Sequence, residues 1–306
     1  MKEDSWFALL DRLDEVPGTR ELRESGYRQV LAGMLSRGVT GVVDMSWSED
    51  PDDWPRRLRA MADQGVLPEV LPRIRIGVYR DKLERWIARG LRTGTALAGS
   101  PRLPDGSPVL VQGPLKVIAD GSMGSRTAHC IAPYPNPLPG YPNGKPNHTR
   151  SELLALLGRA REARLRAAVH AIGDAACHNV LDAFEISGAR GSIEHVQCVA
   201  PADLPRFSQL KLVASIQPAH QLEDVGVVDQ VWPDAKSRAY PMLDLQRAGT
   251  KLAFGSDAPV ASLDPWKAIE AACHRPYRRD QALTPLAALR ASTRSMLGVG
   301  QPADLV

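Results

Sequence analysis

The sequence predicts an α/β fold, a (β/α)₈ barrel of parallel strands that is one strand short of closure. Short runs rich in Val, Ile and Ala alternate with segments of helical spacing, as in parallel sheets that are buried on both faces. This strict alternation, without an internal repeat, favours a barrel over an open sheet. The runs cover residues 39–44, 70–78, 115–120, 167–170, 192–195, 212–217 and 252–257. A closed barrel needs an eighth strand, and the residues before Gly38 have helix and turn character, so we expect the first strand to be missing.

Helices between these runs are indicated by their start and stop signals. Two helices have apolar residues at helical spacing and end near a glycine, with Tyr27, Val30, Leu31 and Met34 before Gly38, and Trp54, Leu58 and Met61 before Gly65. Thr149 with Glu152 forms a capping box. Thr284 followed by Pro285 predicts an N-cap and the first helical position.

Composition excludes several classes of protein. The 306 residues are 43% hydrophobic and 24% charged, without a membrane-spanning or secretory segment. The net charge is +3 and the basic residues are scattered, which argues against nucleic acid as a partner. The four cysteines form no Cys-x-x-Cys pair and are expected to be reduced and mostly buried. We expect a cytoplasmic protein with a single domain over residues 1–306, a small-molecule substrate, no membrane partner and a homodimeric state.

One connection, residues 131–147, is rich in proline and glycine. It is too rich in these residues for a helix and long enough to lie over an active site. We interpret it as a substrate-covering loop. The alternative is a surface excursion of an ordered barrel.

Ionisable residues stand where the predicted strands end. In barrels of this class the chemistry lies at the carboxyl ends of the strands. The residues at these ends are Asp44, Lys116, Asp120, His170, His195, Gln217 followed by His220, and Asp257. This edge is therefore the predicted active site.

Lys116 lies within an apolar strand, where a charged ammonium is costly to bury. Burial lowers the pKa of a lysine toward neutrality. A neutral amine can react with carbon dioxide to give a carbamate, whose carboxylate can bridge two metal ions. The alternative is a structural ion pair with a neighbouring acid.

His170 and His195 end successive strands, and neutral imidazole in that position suits a divalent transition metal. Asp257 follows the last strand, where a carboxylate can ligate metal and accept a proton from water. The alternatives are histidines packed in the core and an aspartate that caps a turn. His220 follows residue 217 at the same edge and is predicted, with Asp120, to contact substrate.

Five ordered motifs carry a resemblance to a known family. They are GPLKVIADGSMGSRTA at 113–128, VHAIGD at 169–174, SIEHVQ at 192–197, ASIQPAH at 214–220 and GSDAPV at 255–260. From about Gly33 to Val306 the chain resembles the amidohydrolase superfamily, specifically amidohydrolase family 3, which includes N-substituted formamide deformylase-like enzymes. The resemblance implies a distorted (β/α)₈ barrel, a divalent metal site of one or two ions, commonly zinc, and hydrolysis of a carbon–nitrogen bond in an amide-like substrate.

The resemblance also implies roles for individual residues. Lys116 is similar to the carboxylated bridging ligand of the family, and His170 and His195 to the ligands of the fifth and sixth strands. Asp257 is similar to the eighth-strand ligand and general base. Arg126 lies in the first motif and is predicted to contact substrate, as is His220, which we also place among the catalytic residues.

The chain departs from the family pattern in two respects. No two of its seven histidines are spaced as His-x-His, so the first-strand ligands of the family have no counterpart. The N-terminal β-sandwich segment is absent, and residues 300–306 resemble the entry to the second half of that sandwich. We therefore expect a chain truncated at both ends.

The predicted function is hydrolysis of a non-peptide carbon–nitrogen bond in an amide-like small molecule by water that the metal activates. One alternative is a catalytically impaired fragment or pseudoenzyme barrel that lacks the His-x-His ligands. Another is a deaminase or imidazolonepropionase-like amidohydrolase acting on a cyclic substrate.

Overall fold

A computed structural model of the protein describes residues 15–46, 52–232 and 236–293, together with residues 9, 12 and 13. Contacts divide the chain into two compact units. The first contains the described residues up to Lys116 with Ala163–Leu165, and the second contains Val117–Glu162 and the described residues from Arg166 onward. The single domain over 1–306 stays a prediction, and residues 300–306 lie outside the described part of the chain.

The first unit contains three parallel strands with helices between them. Its strands are β1 (Gly41–Asp44), β2 (Arg73–Tyr79) and β3 (Leu110–Ile118), the last of which continues into the second unit. Its helices are α1 (Thr19–Leu35), α2 (Asp53–Ala62) and α3 (Leu83–Ala88), with short 3₁₀ helices at Pro68–Val70 and Arg80–Lys82. In the β2–β3 pair, Tyr79 is in register with Lys116.

The second unit contains the strands β4 (Ala167–Ala171), β5 (Gly191–His195), β6 (Val213–Ile216) and β7 (Lys251–Phe254). Each is parallel to the next. The helices are α4 (Arg150–Glu162), α5 (Asp174–Ser187), α6 (Leu204–Gln209), α7 (His220–Asp224), α8 (Val228–Val231), α9 (Met242–Arg247), α10 (Pro265–Cys273) and α11 (Pro285–Ser292). Short 3₁₀ helices lie at Pro201–Asp203, Lys236–Arg238 and Arg279–Gln281.

All seven predicted strands are confirmed, and β3 differs most in extent from its prediction. The strand that the sequence predicts from residue 115 begins at Leu110. Gly113 and Pro114 usually interrupt a strand, but the register with β2 shifts between Ile76 and Val78. This irregularity in the pairing accommodates Pro114, so β3 continues through the proline.

The predicted helix signals are confirmed as well. Gly38 and Gly65, which follow α1 and α2, have φ of 82° and 83°. The Glu152 amide donates to Thr149 Oγ1 at 3.2 Å, and the Thr149 amide donates to Glu152 Oε2 at 2.8 Å. The Ala287 amide likewise donates to Thr284 Oγ1 at 3.2 Å. Among the described helices, none combines the length and the apolar composition that crossing a membrane requires.

The proline-rich loop at 131–147 is held by hydrogen bonds along its length. The Cys130 amide donates to Asn143 O at 2.8 Å, and the Asn147 amide donates to Ala119 O at 2.8 Å. Arg126, predicted to contact substrate, donates to Asn136 O at 2.7 Å and so supports the loop. A role in covering substrate stays a prediction.

Candidate metal centre

Three predicted site residues meet at the carboxyl ends of β5, β6 and β7. His195 ends β5, His220 begins α7 after β6, and Asp257 follows β7. One ligand atom from each lies within 4.8 Å of the others. His220 Nε2 is 3.9 Å from an Asp257 carboxylate oxygen. Parallel strands bring their carboxyl ends to one edge, which is why residues distant in sequence meet here.

Two members of this group, His195 and Asp257, do not have the extended backbone conformation of a strand. His195 and Asp257 have φ of 73° and 56°, in the left-handed region. Strand alternation and register place Glu194, and not His195, on the same face of the sheet as His170. The left-handed turn gives the His195 ring a different direction, and its centroid lies 4.5 Å from that of His170. Backbone outliers of this kind cluster at functional sites.

His170 lies beside the group and has other polar neighbours. Its Nε2 is 3.2 Å from Gly121 O and 3.3 Å from Asp120 Oδ1. The three donor atoms that come together are those of His195, His220 and Asp257, whereas the sequence placed His170 among the ligands and His220 against substrate. Both earlier roles stay predictions.

Asp120 is completely buried, and its carboxylate is occupied by backbone amides. The amides of His129 and Gly173 donate to one oxygen at 2.9 Å each, and that of Ile172 donates to the other at 3.0 Å. Asp120 thereby joins the segment after β3 to the end of β4 and contacts His170. This environment favours a positioning role over the predicted contact with substrate.

The donor set of the group fits a divalent transition metal. Two imidazoles and a carboxylate, with an open position for water, are a common set of ligands for catalytic zinc. Donor atoms around one zinc lie about 3.3 Å apart, close to the 3.9 Å between His220 Nε2 and Asp257. The His220 ring is buried, and within the described residues its Nε2 has no hydrogen-bond partner. A metal ion would use this buried lone pair.

Lys116, the predicted bridging ligand, lies in β3 within the first unit, and 8% of its surface is exposed. Its burial agrees with the sequence argument. Carboxylation of its amine stays a prediction.

Tyr240 links two segments that carry candidate ligands, although it belongs to none of the sequence motifs. Its amide donates to Gln197 O at 2.7 Å, just beyond His195. Its hydroxyl donates to Asp224 at 2.6 Å on α7, the helix that begins at His220. Burial raises the pKa of Asp224, against the lowering effect of this hydrogen bond. Tyr240 therefore holds the end of β5 and α7 together.

The Tyr240 carbonyl accepts a hydrogen bond from buried Arg275 at 3.0 Å. Burial lowers the pKa of Arg275 to about 10.

The cysteines are free, as predicted, and Cys130, Cys177 and Cys198 are buried. Burial raises the pKa of Cys130 to about 12 and raises those of Cys177 and Cys198 as well. The thiolate is the nucleophilic form of cysteine, so the raised pKa values argue against a nucleophilic role for these three residues.

The sequence profile described as "Amidohydrolase family" matches residues 2–306. YtcJ of Bacillus subtilis (strain 168), named as an amidohydrolase, is 30% identical over 253 residues, which cover 80% of this chain and 44% of that protein. Protein LONG AFTER FAR-RED 3 of Arabidopsis thaliana is 34% identical over 186 residues, which cover 58% of this chain and 32% of that protein.

Two solved structures, both described as metal-dependent hydrolases, share the fold. The one from Pyrococcus horikoshii OT3 has 30% identity and a TM-score of 0.71, over 85% of this chain and 51% of that chain. The one from Pyrococcus furiosus has 26% identity and a TM-score of 0.74, over 92% and 58%. The predicted (β/α)₈-barrel fold class is confirmed, and the described residues contribute seven parallel strands. The chain spans less than half the length of the curated relatives and a little over half of these solved chains.

Proposed function

This chain belongs to the amidohydrolase family, and from that premise we propose that it hydrolyses a non-peptide carbon–nitrogen bond of an amide-like small molecule with the help of a divalent metal. The observation that carries the proposal is the convergence of His195, His220 and Asp257 within 4.8 Å. The family implies a divalent metal, and the nitrogen-rich donor set favours zinc.

His195, His220 and Asp257 would hold the ion, which when bound supplies Lewis-acid activation of water and of the substrate carbonyl. Asp257 has an exposed side chain, with 43% of its surface accessible. Its carboxylate can accept a proton from the attacking water and deliver it to the leaving amine. Buried Asp120 orients the neighbouring His170. The resemblance implies that a carboxylated Lys116 would be a ligand for a second ion.

Hydrolysis by metal-loaded protein tests the proposal. The protein is freed of metal, reloaded with one equivalent of zinc, manganese or cobalt, and assayed on N-formyl amines, other simple amides and cyclic ureides. We expect turnover of a formamide or amide that requires metal and falls at least about a hundredfold in Asp257→Asn, because proton transfer contributes about 10²–10⁴-fold. The control His274→Ala removes an exposed histidine and should keep full activity.

Two outcomes would contradict the proposal. Turnover of cyclic ureides alone would favour the cyclic-substrate alternative. Folded, metal-loaded protein that hydrolyses none of these substrates would favour the catalytically impaired alternative.

A further inference from the structure

We infer that Gln217 recognises an amide N–H of the substrate, so that the site selects amides with a hydrogen on nitrogen over tertiary amides and esters. This inference rests on the proposed function and specifies its substrate class. Gln217 directly follows β6 and lies three residues before His220. Its backbone carbonyl accepts a hydrogen bond from the His220 amide at 3.1 Å.

The Gln217 side chain lies toward the end of β7. If Gly255 carried a Cβ atom, that atom would lie 3.6 Å from Gln217 Nε2, so the Gln217 side chain lies beside Gly255. Gly255 is two residues before Asp257. The Gly255 amide donates to Ile216 O at 3.0 Å, which fixes the two strand ends beside each other. Gln217 therefore lies between the segments that carry two of the candidate metal ligands.

The side chain of Gln217 is buried, and its amide oxygen is not satisfied. Only 5% of the residue is exposed, and within the described part of the chain Oε1 has no hydrogen-bond partner. A buried acceptor without a partner destabilises a folded protein, and such groups call for a specific explanation. Neighbouring Gln221 also has a buried Oε1 without a partner among the described residues, but its Nε2 donates to Pro218 O at 3.1 Å, which ties that side chain to the turn.

A ligand that satisfies Oε1 must donate a hydrogen bond. Primary and secondary amides and N-formyl amines carry such a donor on the atom that becomes the leaving amine. Esters and N,N-disubstituted amides do not. Sites built to bind a donor discriminate strongly against analogues that lack it, because the buried acceptor then stays unpaired.

The test measures binding and not turnover. Acetohydroxamate carries an N–H, whereas N-methylacetohydroxamate has a methyl group in its place, and both bind divalent metals. Affinities of the two are measured by calorimetry on zinc-loaded wild type, Gln217→Met and Gln217→Glu. Gln246→Met is the matched control, because Gln246 is exposed on α9.

We expect wild type and Gln246→Met to prefer acetohydroxamate by about tenfold to a hundredfold, the range of one hydrogen bond to a buried group. Gln217→Met should bind the two within about twofold. Gln217→Glu keeps an acceptor oxygen and should retain most of the preference. The melting temperature of apo Gln217→Met should equal or exceed that of wild type, because the change removes an unpaired buried acceptor.

The inference is overturned by an unchanged preference in Gln217→Met, by wild type that binds neither compound or both equally, or by a Gln217→Met protein whose apo form melts several degrees lower. The last result would show that Gln217 serves the fold, through water or protein. The proposed function fails separately. Protein that distinguishes the two hydroxamates but hydrolyses no amide would refute the function and leave this assignment of Gln217 intact.

Discussion

The candidate ligands at the ends of β5 and β7 have a backbone conformation that residues other than glycine rarely adopt. At φ of 73° for His195 and 56° for Asp257, each carries a strain of about 1–3 kcal/mol. Regular extension of β5 would direct the His195 side chain to the face opposite that of His170. The strained backbone conformation at His195 therefore accompanies a change in the direction of its side chain.

The sequence predicted which residues lie at this edge but not how they group. All members of the group were among the strand-end residues, because parallel strands align their carboxyl ends. Which side chains converge depends on backbone turns after the strands, as at His195 and Asp257. No pattern of residue types in the sequence predicts these turns. For this reason the sequence predicted that His220 contacts substrate, whereas in the structure it lies within the group of candidate ligands.

Asp120→Asn should destabilise the protein by about 2–3 kcal/mol, because an amide cannot replace a buried carboxylate that accepts three backbone amides. Urea unfolding followed by circular dichroism measures the loss. Asp229→Asn is the control, since Asp229 forms an ion pair with Lys236 at an exposed position and should change stability by less than about 1 kcal/mol. Equal stabilities of the two variants would show that the Asp120 contacts are not needed for folding.

At the scale of elements, the sheet depends on close approach of neighbouring strands. Gly191 opens β5 opposite Ala167 of β4. A Cβ on Gly191 would lie 1.7 Å from the Ala167 carbonyl oxygen. Because that atom belongs to the backbone of a buried strand, it cannot move without disturbing the pairing that positions His170 and His195.

Gly191→Ala should therefore destabilise the protein by about 2 kcal/mol or more, as overpacking against rigid backbone does. Gly158→Ala is its matched control. Gly158 lies within α4, and a Cβ there meets nothing within 4 Å. This change should stabilise the protein by about 0.5–1 kcal/mol through higher helix propensity. If both variants unfold at the same urea concentration, the close contact at Gly191 is not a constraint.

The elements themselves were the most predictable part of the molecule. Apolar runs and cap residues act locally, so the seven strands and the starts of α4 and α11 follow from short stretches of sequence. The start of β3 did not, because continuing a strand through Gly113 and Pro114 depends on the register of its neighbour β2. Local signals cannot report a pairing partner.

At the scale of the whole molecule, the ligand atoms come from three successive strand–helix units. The ion would link segments about sixty residues apart. The family follows from five motifs and from the match over residues 2–306. Substrate identity does not follow, because barrels of this class vary it through their loops. The proposed function therefore depends on the binding of a metal ion by His195, His220 and Asp257.

Metal content of the purified protein tests this claim most directly. Protein equilibrated with zinc and freed of excess ion is measured by plasma mass spectrometry, as wild type, as His195→Ala, His220→Ala and Asp257→Ala, and as the control His274→Ala. We predict at least about one equivalent of zinc in wild type and in the control, and a lower zinc content in each ligand variant, because loss of a ligand weakens metal binding at least about a hundredfold. Folded wild type with less than about a tenth of an equivalent, or ligand variants that keep the wild-type content, would contradict the account.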